Sequence, residues 1–366
     1  MQELIAVTVF GTRPEIIKLS SFIEEMDRRI TNHFLVHTNQ HYDYEMDAIF
    51  MDDLELRKPD VRLSVRSRNQ VTQLGEMVAQ LGSVLRKLNP DVVTVLGDTN
   101  STVAGSIAGL KYGAKVVHIE SGCRSHDRTM PEERNRIIVD HASDLLIAPT
   151  RTCVQNLREE GLNHDSVHLV GSTLVEVCKR NLRIAKKKAS IELDRPFVLV
   201  TIHRRGNIED EGRLRSIAGA LGTLSRDVNL VFPLHPHTKT YLKKYGLLHK
   251  LGTTSLLPPL GYLDFLKALS EAEFVITDSG GVQQEAQVFN VPTLTARKET
   301  EWVETVESGV SVLVDASERK IVQAGRRLLK DEEYRGRMRK SKNPYVEREV
   351  SKRIADLILK HIRHRQ

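Results

Sequence analysis

Short apolar runs alternate along this chain with stretches whose apolar positions recur at spacings of three and four. The runs Leu4 to Phe10, Phe34 to His37, Val92 to Leu96, Val116 to Ile119, Leu145 to Ala148 and Val167 to Val170 are rich in β-formers and predict strands. Between them, Glu15 to Arg28, Val71 to Leu88 and Thr102 to Leu110 carry helical spacing. Such alternation predicts a parallel sheet wrapped by helices. The rhythm breaks at Lys186 to Lys188, followed by Asp194, Arg195 and Pro196, which reads as a linker. It restarts with strands predicted at Phe197 to Ile202, Asn229 to Phe232, Phe274 to Thr277 and Val312 to Val314. At the end, Val346, Val350, Ile354, Ile358 and Ile362 form the apolar stripe of a last helix, expected to pack back across the domain junction.

The pattern predicts an α/β protein of two Rossmann-like domains facing a cleft. Residues 1–185 with the returning helix 346–366 form the first, and residues 186–345 the second. Open sheets of this kind bind ligands at the carboxyl ends of their strands, so the site is expected in the cleft, on residues that follow strands.

Composition narrows the function. The chain has 366 residues, 40% of them hydrophobic, enough to fill two cores. Its apolar runs fall far short of a membrane span, and Met1 to Phe10 lacks a basic n-region and a cleavage site. No membrane partner and a cytoplasmic location are expected. Cys123, Cys153 and Cys178 are scattered and form no CxxC pair, which predicts reduced, buried thiols and no zinc cluster. The charge of +6 and pI near 9.1 are spread along the chain apart from Lys186 to Lys188 and Lys360 to Arg365. Nucleic acid is therefore not an expected partner, and a diphosphate substrate accounts for the cations near glycine-rich turns.

Chemistry concentrates after the strands. The first is followed by Gly11, Thr12, Arg13, Pro14 and Glu15, with Lys18 one turn on, and a helix N-terminus with two cations suits an anion. Gly97 and Asp98 follow another strand, where Asp98 is either a helix cap or a site carboxylate. Glu120 closes the neighbouring strand, and Glu132 and Glu133 open a helix, where either glutamate also favours the helix dipole. In the second half, His203, Arg204 and Arg205 follow the first strand. Ser279, Gly280 and Gly281 open a helix running through Glu285, and the two glycines allow backbone amides to approach a phosphate closely. His235 and His237 lie close in sequence but lack the HExxH pattern, so no metal is expected. The chain has no GxGxxG, Walker or GxSxG motif, which points away from hydride transfer, ATP hydrolysis and acyl transfer.

Taken in order, FGTRPEIIK (10–18), GDTNST (97–102), HIESG (118–122), MPEERNR (130–136), HRR (203–205) and TDSGG (277–281) resemble the non-hydrolysing UDP-N-acetylglucosamine 2-epimerase family. The resemblance spans nearly the whole chain. It implies a glycosyltransferase B-type fold, a homodimer, a UDP-sugar substrate and no cofactor. It also implies a route in which the C2 proton is removed, UDP leaves to give a 2-acetamidoglucal, and UDP adds back after reprotonation from the opposite face. By the same resemblance Asp98, Glu120 and Glu132 move protons and His203, Arg13 and Lys18 attend the diphosphate. Ser279, Gly280, Gly281 and Glu285 hold UDP, with Glu285 either closing a helical turn or gripping the ribose hydroxyls.

The chain departs from the family at several places. Ser121 and Cys123 stand where Ala and Leu are usual, Gln284 replaces a glutamate, and Val346, Glu347 and Arg348 replace Gly-Asp-Gly. No second glutamine follows Gln40 and His41, which predicts catalysis without an activating second substrate molecule. Trp302 and Val303 replace Arg-Pro and resemble relatives that act on UDP-2,3-diacetamido-2,3-dideoxyglucuronic acid. A modified UDP-2-acetamido sugar is thus an alternative substrate. The rival from another class is a UDP-sugar glycosyltransferase, which needs one base where this chain offers three acids.

Overall fold

The computed structural model describes residues 4–40, 51, 54–67, 69–162, 165–345 and 348–363. The chain divides into two compact units, Met1–Val177 with Tyr345–Gln366, and Cys178–Pro344. In the first, strands β1 (Ile5–Phe10), β2 (Asn32–His37), β3 (Val61–Arg62), β4 (Val92–Leu96), β5 (Lys115–Ile119), β6 (Leu145–Ala148) and β7 (Val167–Leu169) form one parallel sheet in the order β3-β2-β1-β4-β5-β6-β7. Helices α1 (Arg13–Arg29), α2 (Gln70–Leu88), α3 (Asn100–Tyr112), α4 (Pro131–Ala142) and α5 (Arg151–Glu159) connect them. Val7, Val9, Val93 and Val95 are fully buried in its core with Met77, Leu81 and Leu85 of α2, as expected of strands covered on both faces.

Helix α6 (Thr173–Lys188) carries the chain from one unit to the next. Lys186 to Lys188 are its exposed last turn, so the basic run ends a helix where the sequence suggested a linker. The second unit has β8 (Phe197–Thr201), β9 (Asn229–Pro233), β10 (Ser255–Leu257), β11 (Val275–Thr277), β12 (Thr293–Thr295) and β13 (Ser311–Leu313), also parallel, in the order β10-β9-β8-β11-β12-β13. Its helices are α7 (Arg205–Ile208), α8 (Glu211–Leu224), α9 (Pro236–Lys244), α10 (Tyr262–Glu271), α11 (Gly280–Val288), α12 (Val303–Glu307), α13 (Glu318–Lys330) and α14 (Glu332–Arg339). The last helix, α15 (Val350–Arg363), belongs to the first unit.

Val350, Ile354 and Ile358 of α15 are fully buried, as the stripe predicts; Val346 lies outside the described residues. Polar contacts fix the helix further: Arg29 meets Asp356 at 2.5 Å, Arg353 donates to the carbonyls of Leu169 and Val170, and the Ser351 amide donates to Glu176. The segment after Gln40, 41–50, is likewise outside the described residues.

Strand order positions the chemistry. In each sheet the order reverses at the first strand, between β1 and β4 and between β8 and β11, and ligands of open α/β sheets bind at such switch points. The residues after β1 and β4 are Gly11–Lys18 and Gly97–Asp98, and those after β8 and β11 are His203–Arg205 and Asp278–Gly281.

Candidate active site

In the first unit, Glu15 ties the two turns of the switch point together. Its Oε2 accepts from the amides of Gly11 and Thr12 at 3.0 and 2.8 Å and from the Thr12 hydroxyl, while Oε1 accepts from Thr99 and Thr102 hydroxyls at 2.8 and 3.2 Å. Burial raises the Glu15 carboxyl above its ordinary range, although all these donors pull it down. Gly11 has its reason here: a Cβ on it would stand 1.9 Å from the Thr38 hydroxyl and 2.2 Å from that of Ser101. Arg13 occupies the first position of α1.

Thr99, not Asp98, caps α3, its hydroxyl accepting from the Thr102 amide at 3.2 Å. Asp98 is thereby released from capping duty. Its Oδ2 accepts instead from Arg136 Nη2 and Nε at 2.6 and 2.9 Å, and its carbonyl from Asn135 at 2.8 Å. Glu120 sits just past β5 in the left-handed region, at φ 69°, a conformation that costs a non-glycine residue on the order of 1 kcal/mol or more and marks functional turns. Lys18 Nζ donates to its Oε2 at 2.6 Å, while the buried Oε1 has no hydrogen-bond partner among the described residues. Burial disfavours the Lys18 ammonium, but Glu120 and then Asp98 outweigh it and hold the lysine above its ordinary range. Asp98, Glu120 and Lys18 are therefore brought together, with each carboxylate gripped on one oxygen by a cation.

Of the paired acids that open α4, Glu132 is exposed and makes no ion pair among the described residues. Glu133 is buried and accepts from the amides of Ser125 and His126, both at 2.9 Å, and from Arg136 at 2.6 Å. It ties the segment after β5 to the arginine that holds Asp98. Behind Glu120 lies a second buried network. Asp140 accepts from His118 at 2.6 Å, and from the Gly122 amide at 3.1 Å, and pairs with Arg124 at 2.7 Å, while the other His118 nitrogen faces the Gly97 carbonyl at 2.8 Å. Burial opposes the Asp140 charge, but His118 and Arg124 prevail and hold its carboxyl below the usual range.

In the second unit, fully buried Asp278 gathers the switch-point loops. It accepts from the amides of His203 and Arg204 at 3.1 and 3.0 Å and from Asn207 Nδ2 at 3.0 Å. The His203 ring stays partly exposed, its Nδ1 3.8 Å from Asp278 and its centroid 6.0 Å from that of His235. Ser279 caps α11 by accepting from the Val282 amide at 3.4 Å, which leaves its own proton free to donate. Open space surrounds Gly281 apart from Ser279, whereas a Cβ on Gly280 would stand 2.4 Å from Glu301 Oε1 and 2.8 Å from Trp302 Nε1. Glu301 and Trp302 thus pack against the Cα of Gly280, where no side chain fits, and the requirement for glycine there is explained within the protein. Glu301 is bound by Arg297 at 2.6 Å and Arg204 at 3.2 Å, and Glu285 is buried on the same helix as Gly280.

Sequence reasoning passed over Glu15, Arg136, Asp140 and Asp278 as individuals, though three of them stand inside motifs it quoted.

A family model described as UDP-N-acetylglucosamine 2-epimerase matches residues 24–359. The chain is 39% identical over 362 residues to the UDP-N-acetylglucosamine 2-epimerase of Methanococcus maripaludis, covering 96% of this chain and 97% of that one. It belongs to the UDP-N-acetylglucosamine 2-epimerase family. Another relative in this family, from Pseudomonas aeruginosa, is UDP-2,3-diacetamido-2,3-dideoxy-D-glucuronate 2-epimerase, 38% identical over 324 residues and matching 87% of this chain and 91% of its own length. Among solved structures, the Methanocaldococcus jannaschii UDP-GlcNAc 2-epimerase in complex with UDP-GlcNAc and UDP superposes with a TM-score of 0.90 at 37% identity, covering 98% of this chain and all of that one. The fold class is that of these epimerases, two Rossmann-like α/β domains of the glycosyltransferase B type.

Proposed function

We propose that this chain is a non-hydrolysing UDP-N-acetylglucosamine 2-epimerase, an isomerase that interconverts UDP-GlcNAc and UDP-ManNAc. The observation that carries the reading is Glu120. A buried carboxylate with one oxygen clamped by Lys18 and the other without a hydrogen-bond partner among the described residues has acceptor capacity left to take a proton from a substrate.

The chemistry runs as proton transfer and elimination. One carboxylate takes the C2 proton, the electron pair forms the C1–C2 double bond, and the bond from C1 to the UDP oxygen breaks. UDP then adds back to C1 of the 2-acetamidoglucal while a carboxyl group delivers a proton to the other face of C2. Asp98 and Glu120 are the acid-base pair, and Arg136 and Lys18 fix the position of their carboxylates through contacts of 2.6 Å each. Glu132, exposed in the first turn of α4, is assigned the remaining proton-carrying role by family resemblance alone. His203, Arg13 and Lys18 stabilise the departing diphosphate, and Ser279, Gly280, Gly281 and Glu285 hold UDP. Carbon is neither oxidised nor reduced overall, so the route calls for no nicotinamide, and protons rather than a metal carry the step.

The reading extends to a cytoplasmic homodimer whose partner molecule is a UDP-sugar. It is supported by the family; no helix among the described residues is long and apolar enough to cross a membrane. Sedimentation tests the dimer. The function itself is tested by incubating the protein with UDP-GlcNAc in deuterated water and no acceptor. Deuterium at C2 together with UDP-ManNAc is the expected result; intact, unexchanged UDP-GlcNAc refutes it, and transfer only on adding an acceptor identifies a glycosyltransferase.

A further inference from the structure

Tyr262 opens α10 with its side chain almost wholly buried, at 4% exposure. A phenol so placed needs partners for its hydroxyl. Two are present: Cys178 Sγ at 3.6 Å and the carboxylate of Glu285, which is itself 6% exposed on α11. Burial, then Cys178 and Glu285, push the phenol well above its ordinary value, so it keeps its proton at any working pH. The direction of the bond is thereby fixed: Tyr262 donates and Glu285 accepts.

A carboxylate that grips the two neighbouring hydroxyls of a ribose must present one edge to them and hold that orientation. A glutamate has three side-chain torsions and reaches that geometry at an entropic cost unless another group pins it. We propose that Tyr262 is a positioning residue that orients Glu285 toward the 2′- and 3′-hydroxyls of the nucleotide's ribose. The inference rests on the UDP-holding role of Glu285 proposed above. Tyr262, Glu285 and Cys178 bring three helices, α10, α11 and α6, to one point, so the carboxylate is held against a rigid frame. Tyr262 touches no substrate in this arrangement; it acts through Glu285.

The test uses the full chain as wild type, Tyr262→Phe, Glu285→Ala and the double variant. Phenylalanine keeps the ring and its packing and removes only the donor. For each protein, kcat and KM are measured with UDP-GlcNAc, and Ki is measured for UDP and for 2′,3′-dideoxy-UDP as competitive inhibitors. Tyr262→Phe is expected to raise KM and the UDP Ki about tenfold, the scale of one hydrogen bond to a charged group. It should leave kcat within about twofold and the dideoxy-UDP Ki unchanged, because the ribose is remote from C2. In the Glu285→Ala background the same change should have no further effect. Equal weakening of UDP and dideoxy-UDP by Tyr262→Phe, or no weakening of either, overturns the proposal. If Glu285→Ala abolishes the preference for UDP over dideoxy-UDP and Tyr262→Phe does not reduce it, the positioning role alone fails. If Glu285→Ala keeps the full preference, the ribose role of Glu285 fails, and the proposal with it.

Discussion

Lys18 and Glu120 face each other at 2.6 Å across 102 positions of sequence, with their side chains only 14% and 6% exposed. The pair joins the second turn of α1 to a strained residue after β5, so the first switch-point loop and the first candidate base are set by one contact. It also explains why a carboxylate is tolerated in so dry a place, since an unpaired buried charge is far costlier than a paired one.

Glu120→Gln and Asp98→Asn are each expected to lower turnover about a hundredfold or more, the usual scale for a lost acid-base group. UDP binding, measured by calorimetry, should stay within a few-fold of wild type. Near-normal turnover in either variant removes that residue from the proton-transfer pair. Lys18→Met is expected to be as damaging and also to weaken UDP, because it deletes the cation proposed to attend the diphosphate and removes the ion pair of Glu120.

Acid and alkali should destabilise the protein through different groups. Asp140 and Glu133 are held below the ordinary carboxylate range, against burial, by His118 and Arg124 in one case and by the Ser125 amide and Arg136 in the other. A folded-state value below the unfolded one gives stability that is full above about pH 4 and lost as pH falls through the lower, folded value. Lys18 is shifted upward, so its contribution is full below about pH 10 and lost as pH climbs past its folded value. Asp140→Asn should cost about 1–3 kcal/mol at neutral pH, since it removes the buried negative charge between His118 and Arg124 and leaves Arg124 to Glu160 alone. It should also flatten the acid limb of urea unfolding curves taken from pH 3 to 7. An unchanged acid limb would assign the acid sensitivity elsewhere.

Much of this was legible in the sequence because buried parallel strands are nearly continuous apolar runs, and β1, β4, β6 and β8 read directly. Three strands did not. Val61–Arg62 and Ser255–Leu257 are short sheet edges with exposed or half-exposed side chains, so burial never wrote an apolar run there. Thr293–Thr295 is fully buried yet looks polar, because its threonines satisfy their hydroxyls inside the sheet, Thr295 with Ser311 at 2.8 Å and Thr293 with the Val291 carbonyl at 3.1 Å. At the candidate site, motifs pointed to loops that lie at the switch points of the sheets but not to the contacts within them. That Thr99 relieves Asp98 of capping, or that Glu301 and Trp302 occupy the space over Gly280, depends on side chains meeting across the fold, which spacing along a chain does not encode.

Cys123 and Cys153 lie with their sulfurs 3.5 Å apart, both buried, and Thr150 donates to Cys153 at 3.1 Å. The neighbouring Cys153 and burial push the Cys123 thiol well above its ordinary value, so it is a poor nucleophile at neutral pH. Cys123 and Cys153 should resist a thiol-reactive disulfide reagent in the native protein and react promptly in urea. Labelling of Cys123 within minutes under native conditions would show that the segment after Glu120 opens far more readily than its packing implies.

Substrate choice is the sharpest test, because relatives acting on UDP-N-acetylglucosamine and on the diacetamido uronate are almost equally similar, at 39% and 38% identity. Trp302, standing where Arg is usual, is 4% exposed and its indole nitrogen fills the space over Gly280. The guanidinium lost at 302 is not without substitutes, since Arg297 and Arg204 both converge on Glu301 beside the same glycine. A buried indole in that place is explained by packing, and no uronate carboxylate is required to account for it. UDP-N-acetylglucosamine is therefore expected to be turned over with a kcat/KM at least equal to that of UDP-2,3-diacetamido-2,3-dideoxyglucuronic acid, the ratio by which enzymes discriminate. Trp302→Arg should destabilise the second unit without improving that ratio, because it puts a charged chain in place of an indole that is only 4% exposed. If the uronate wins by tenfold or more and Trp302→Arg reverses the preference, Trp302 is a specificity residue and the enzyme's substrate is the modified sugar.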